Sequence, residues 1–269
     1  MLLPKEKREA MIALYAFCRQ VDDIADDESA PVAQRRTELS RWRAETRLAC
    51  DGGIPTLPVL RELQPFIQRY QLPFPRFDEL ISGVEMDLEV VRYPDAAALE
   101  RYCYHVASVV GLLSIEIFGY QDPQCRQYAD ALGKALQFTN ILRDVGNDAS
   151  RGRIYLPLAD LARHGVAPED ILQRRNSAGF RRLAAEIAQR ARGFYLQARS
   201  LLPADHRSPM LTAEIMGAVY WRLLRRIEQT NFDVLADEPL RLTKARKLSL
   251  VLLTWCRVKT GLPLASYGA

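Results

Sequence analysis

Three histidines in 269 residues, His105, His164 and His206, are too few and too scattered for an imidazole metal site or a histidine proton relay. The five cysteines, Cys18, Cys50, Cys103, Cys125 and Cys256, are odd in number and nowhere spaced as CxxC. That excludes a thiolate zinc site and speaks for a reducing compartment rather than a disulfide scaffold. Charge of one sign is also missing: the net charge is only +4, with basic residues scattered among acidic ones. No stripe exists for a phosphate backbone, so nucleic acid is not expected as a partner. Long apolar runs are absent too. The stretch from Leu248 to Cys256 is far shorter than the roughly 20 residues a bilayer requires. Met1 leads almost at once into Pro4-Lys5-Glu6-Lys7-Arg8, with no signal peptide between. The expectation is a cytoplasmic protein, at most peripheral to the inner membrane.

Alternating strand patterns and Asn-Gly or Asp-Gly hairpin signals between apolar runs are missing, as are glycine-rich linkers and low-complexity tracts. What remains is helical periodicity, punctuated by proline. It predicts helices over about 5–27, 32–50, 57–70, 76–91, 95–119, 124–149, 178–202, 208–232 and 240–256. Pro65 falls inside one of these and is expected to break or kink it. The run Val106-Ala107-Ser108-Val109-Val110-Gly111-Leu112-Leu113 is apolar on more than one side, as suits the middle of a bundle. Gly111 there would let a neighbour or a ligand approach the backbone closely. No composition shift marks a boundary, so residues 1–269 are read as one all-α domain.

Two acidic motifs stand out. One runs Arg19-Gln20-Val21-Asp22-Asp23-Ile24-Ala25-Asp26-Asp27; the other runs Gln137-Phe138-Thr139-Asn140-Ile141-Leu142-Arg143-Asp144-Val145-Gly146-Asn147-Asp148. In each, a carboxylate recurs four residues on, so both share one helix face. Aspartate is a poor helix-interior residue, and stacked carboxylates repel, so a cation should sit between them. A single such pair is most often a solvated face; two, each led by arginine and bedded in apolar sequence, point further. Mg²⁺ fits the chemistry, because it is commonly held by one or two carboxylates plus substrate phosphate oxygens. Arginines would add bidentate phosphate contacts. A di-iron carboxylate bundle also places acids on facing helices, but it requires Glu-x-x-His pairs, and none is present.

At these residues the chain resembles the squalene and phytoene synthase family, all-α enzymes that join two prenyl diphosphates head to head. The similarity runs from Leu3-Pro4 to about Leu248. It is carried by Tyr15-Ala16-Phe17-Cys18-Arg19-Gln20-Val21-Asp22-Asp23, by Tyr102-Cys103 with Val106 to Gly111, and by Gln137 to Asp144 continuing to Arg151-Gly152-Arg153-Ile154-Tyr155-Leu156-Pro157. The resemblance implies a single-domain isoprenoid-synthase bundle around a central apolar cavity. It implies Asp22, Asp26, Asp144 and Asp148 as Mg²⁺–diphosphate carboxylates, Arg19 and Arg143 as phosphate ligands, and Gln137 and Asn140 as lining of the inner site. Tyr15, Tyr102 and Tyr220 match positions where the family sets tyrosines near the substrates, although each ring would equally serve as core packing.

Glu85-Met86-Asp87-Leu88 and Leu240 to Leu248 are most similar to the bacterial hopanoid branch, which condenses two farnesyl diphosphates to presqualene diphosphate and releases one diphosphate. Phytoene or dehydrosqualene synthesis, and a non-catalytic relative that binds prenyl diphosphate, stay open at this point. So does the acceptor of the proton that must leave, either the departing diphosphate or a tyrosine. Farnesyl diphosphate is the implied partner, with peripheral membrane contact and downstream isoprenoid enzymes as further expectations. Asn147 stands where the family often has Glu, and Ala25 where eukaryotic squalene synthases have Glu. The family's N-terminal segment ahead of Leu3-Pro4 is expected to be missing.

Overall fold

The computed structural model describes residues 2–236, 239–260 and Tyr267. The part of the expected domain that covers Met1, 237–238, 261–266 and 268–269 lies outside the described residues. Among the described residues the chain is helical, with one isolated bridge between Arg92 and Ile154 and no strand. The helices are α1 Lys5–Asp26, α2 Val32–Cys50, α3 Pro58–Tyr70, α4 Phe74–Met86, α5 Ala96–Cys103, α6 Val109–Phe118, α7 Gln124–Ser150, α8 Leu158–Arg163, α9 Pro168–Leu172, α10 Ala178–Leu201, α11 Leu211–Gln229 and α12 Lys244–Thr260.

Several boundaries differ from the sequence expectation. The segment expected to be one helix over 95–119 is two, α5 and α6, joined through a π-helical turn at Tyr104–Ser108. Helix α4 stops at Met86 rather than near 91, because the chain turns at Asp87. The short α8 and α9 were not expected; each is a turn or two started by a proline, too brief for periodicity to register. Pro65 does not break α3, which continues to Tyr70. Its inner face, Leu60, Leu63 and Ile67, is fully or nearly fully buried, and that packing outweighs one missing backbone hydrogen bond.

Two cores meet at α6. Leu14, Phe17, Leu39, Leu60 and Phe77 build one; Tyr128, Phe138, Leu142, Ile187, Tyr195 and Leu224 belong to the other. Helix α6 gives Val109, Leu113 and Ile117 to the first and Leu112, Ile115 and Phe118 to the second, as its all-round apolar sequence demands. Helix α7 is the axis of the second core and packs most extensively on α10. Glycines set the approach of α6 to α7. A Cβ on Gly111 would stand 3.0 Å from the Ala129 carbonyl oxygen, and one on Gly133 would stand 2.6 Å from the Ser108 Cα. The close neighbour foreseen at Gly111 is therefore a helix.

Candidate active site

Helix α1 buries Leu14, Phe17, Val21 and Ala25, which turns Asp22 and Asp26 together to its other side. Helix α7 buries Ile141, Leu142, Val145 and Ala149, which does the same for Asp144 and Asp148. All four aspartates line one polar chamber of about 620 Å³, together with Tyr15, Arg19, Tyr102, Gln137, Asn140 and Arg143. An apolar chamber of about 340 Å³ lies beside it, walled by Val106, Val110, Gly111, Leu132, Leu136 and Met216. Tyr15, Cys18, Val106, Val110, Gln137 and Asn140 line both, so the two are one cavity with a charged end and a greasy end.

The charged end is electrostatically unsettled. Burial first, then repulsion from Asp26, raises the Asp22 carboxyl above its usual range, while Arg19 and Arg153 oppose the rise. Burial and then Asp144 push Asp148 up to about 7. The cation demanded by the sequence is present in part as arginine. Arg153 meets Asp26 at 3.0 Å and Arg151 meets it at 3.3 Å, so the end of α1 is tied to the turn after α7. Neither arginine was singled out as a site residue, although both lie in the sequence block that carries the resemblance.

The two leading arginines pair with their own motifs. Arg19 contacts Asp22 at 3.6 Å and Asp23 at 2.7 Å. Arg143 Nε donates to Asp144 Oδ1 at 2.8 Å. Asn140 Nδ2 donates to Gln137 Oε1 at 3.4 Å, while the buried Asn140 Oδ1 has no partner of its own. The tyrosines divide. Tyr15 is 69% exposed and forms the rim, so it is not core packing. Tyr220 lines the apolar chamber. Tyr102 is buried, and its hydroxyl donates to Asp87 at 2.8 Å. Asp87 itself also lines the polar chamber and was not foreseen as a site residue. Cys18 is no nucleophile, since burial pushes its thiol up to about 12.

Does this donor set suit a divalent cation? The carboxylates supply hard oxygens, but among the described residues no three metal-binding side chains are gathered into a closed cage. Each aspartate pair would leave most of a coordination shell to other oxygens. Mg²⁺ accepts that arrangement, because it retains waters and takes up phosphate oxygens. The residues fit a metal that arrives with a diphosphate.

The family model for squalene/phytoene synthase matches residues 1–246 of the chain. A presqualene diphosphate synthase of Rhodopseudomonas palustris is 36% identical over 252 residues, covering 93% of this chain and 89% of the relative. A phytoene synthase of Arthrospira platensis is 37% identical over 249 residues, covering 87% and 79%. Among solved structures, a dehydrosqualene synthase in complex with ligand superposes with a TM-score of 0.85 at 26% identity, covering 96% of this chain and 89% of that one. A squalene synthase from Alicyclobacillus acidocaldarius gives 0.76 at 32% identity, covering 86% of each.

Proposed function

The chain belongs to the squalene/phytoene synthase family and is a prenyltransferase of the head-to-head kind, and from that premise we propose that it joins two farnesyl diphosphates into presqualene diphosphate. The observation that carries the proposal is the continuity of a four-aspartate chamber with an apolar one, which matches a substrate with a charged head and a hydrocarbon tail. Asp22 and Asp26 on one wall, Asp144 and Asp148 on the other, would hold Mg²⁺ with the diphosphate. When bound, the metal neutralises the charge that builds on diphosphate as its C–O bond breaks.

The chain's own groups do the rest. Arg19, Arg143 and Arg153 orient phosphate oxygens once these displace the carboxylate partners the arginines now hold. Gln137 and Asn140 sit where head meets tail, and the unpartnered Asn140 Oδ1 is free to accept a hydrogen bond there. Val106, Val110, Leu132 and Leu136 exclude water from the allylic cation, and the Tyr220 ring on the same wall supplies aromatic density close to it.

Phytoene synthesis from geranylgeranyl diphosphate is the second reading, supported by the phytoene synthase relative. Incubation with each diphosphate and Mg²⁺, without NADPH, followed by mass spectrometry, decides between them. Presqualene diphosphate from the farnesyl substrate is expected. Turnover of geranylgeranyl diphosphate alone would replace this proposal with the second reading, and binding without turnover would indicate a non-catalytic relative. No described helix is long and apolar enough to cross a membrane. Exposed Leu248, Leu252, Leu253 and Trp255 on α12, beside exposed Arg246 and Lys247, support peripheral contact with an anionic bilayer, which vesicle co-sedimentation checks.

A further inference from the structure

Asp87 follows directly on α4 and sits in the wall of the polar chamber, yet belongs to neither acidic motif. Its two carboxylate oxygens are each engaged by a phenol. Tyr102 donates to Oδ2 at 2.8 Å and Tyr155 donates to Oδ1 at 2.9 Å. The rings of Tyr102 and Tyr155 stack with centroids 5.3 Å apart, and Tyr93 packs on both, at 5.3 and 5.7 Å. A carboxylate held by two phenols on a stacked aromatic wall is fixed in place. With both oxygens already accepting, it is arranged to take a proton rather than to wrap a metal.

Tyr102 also has the right address. It precedes Val106 and Val110 by four and eight residues, and all three line the polar chamber, which Val106 and Val110 share with the apolar one. We infer that Asp87 is a positioning residue that takes up, through Tyr102, the proton released when the cyclopropane ring closes. The inference rests on the reaction proposed above.

In that reaction the C1–O bond of one farnesyl diphosphate breaks and diphosphate leaves with the electron pair. The C2=C3 π electrons of the second farnesyl diphosphate form a bond to that C1, placing a cation on the second molecule's C3. The C1–H bond then breaks, and its electrons close the ring between C1 and that C3. The proton passes to the Tyr102 oxygen while Tyr102 gives its own to Asp87. Burial holds the Tyr102 phenol well above its ordinary value, so it can relay a proton but does not keep the phenolate. Burial also pushes Asp87 up to about 6 against the two tyrosyl hydrogen bonds, which leaves it ionised yet near the ideal strength for a base at neutral pH.

The experiment follows diphosphate release, presqualene diphosphate and prenyl alcohol in parallel, with farnesyl diphosphate and Mg²⁺. The wild type is expected to release one diphosphate per cyclopropyl product. Asp87→Asn should lower cyclopropyl product on the order of 100-fold while ionisation continues, so diphosphate and alcohol run ahead of product. Asp87→Glu should regain part of the coupling. Tyr102→Phe should uncouple similarly, and the double variant should be no worse than the poorer single one. Tyr102→Phe carries the test if Asp87→Asn does not fold by circular dichroism. Wild-type rate and coupling in Asp87→Asn would overturn the relay, as would a proportional fall of diphosphate release and product in both variants. Failure of the substrate reading looks different: the wild type would then turn over only geranylgeranyl diphosphate, and the same ratios would be measured with that substrate, counting phytoene together with its cyclopropyl precursor as product. A wild type that forms neither a cyclopropyl product nor phytoene overturns both.

Discussion

The two acidic motifs have the same shape and opposite surroundings. In the first, the side chains of Arg19 and Asp22 are 55% and 52% exposed; in the second, those of Arg143 and Asp144 are 25% and 23% exposed. The difference extends to the residue two places after the first aspartate. It is Ile24 in α1, partly buried against the first core, and Gly146 in α7, which another backbone segment covers closely. The Gly146 N–H donates to the Val234 carbonyl at 3.1 Å, and a Cβ there would lie 2.9 Å from the backbone of 234–236. One half of the proposed clamp is therefore closely covered, and the other is more open to solvent. A preorganised wall and an adaptable one suit a site that must admit two large substrates and then close on their charge.

This contrast can be broken most forcefully at the aspartates. Asp22→Asn and Asp144→Asn are each expected to lower kcat/KM by at least about 100-fold, the scale of losing one electrostatic contact to a developing charge. Melting temperature should separate them. Asp144→Asn leaves the half-buried Arg143 without its carboxylate and should lose stability, whereas Asp22→Asn relieves repulsion and should not.

A smaller effect probes the backbone. Gly146→Ala should destabilise by about 1–3 kcal/mol in urea titration, because the carbonyls of Val234 and Ala236 must give way. Arg153→Ala comes next, with kcat/KM reduced roughly 10-fold, the loss of about 1.4 kcal/mol. Arg151→Ala should do less, since its side chain is 43% exposed against 12% for Arg153.

The smallest effect concerns a look-alike of Asp87. Glu214 is buried and accepts hydrogen bonds from Tyr128, at 2.7 Å, and from Tyr267. Burial raises its carboxyl above the ordinary 4.5. The folded state thus binds this proton more tightly than the unfolded one, and stability falls as pH rises from 4.5 through the folded-state value. Glu214→Gln removes that slope, so its melting temperature should gain on the wild type as pH rises above the ordinary carboxylate range, with coupling of diphosphate release to product unchanged.

Helix class, the long helices and both acidic faces were legible because they depend on local period: Asp22 to Asp26 and Asp144 to Asp148 share a face whatever the bundle does. Pro65, expected to break or kink its helix, does not break it, since burial of Leu60, Leu63 and Ile67 overrides a local rule. The π turn at Tyr104–Ser108 left no mark in the apolar pattern. Asp87, Arg151 and Arg153 were visible as letters but not as a site. Their meaning depends on tertiary contacts, Asp87 with Tyr155 across 68 residues and Arg153 with Asp26 across 127.

The central claim is that both faces act on one metal-bound diphosphate. Calorimetric titration of a non-hydrolysable farnesyl thiodiphosphate into the wild type, Asp22→Asn/Asp26→Asn and Asp144→Asn/Asp148→Asn, with and without Mg²⁺, tests it most directly. Tight binding that needs both Mg²⁺ and both aspartate pairs is the predicted result. Binding of equal strength without Mg²⁺, or with either pair removed, would contradict it.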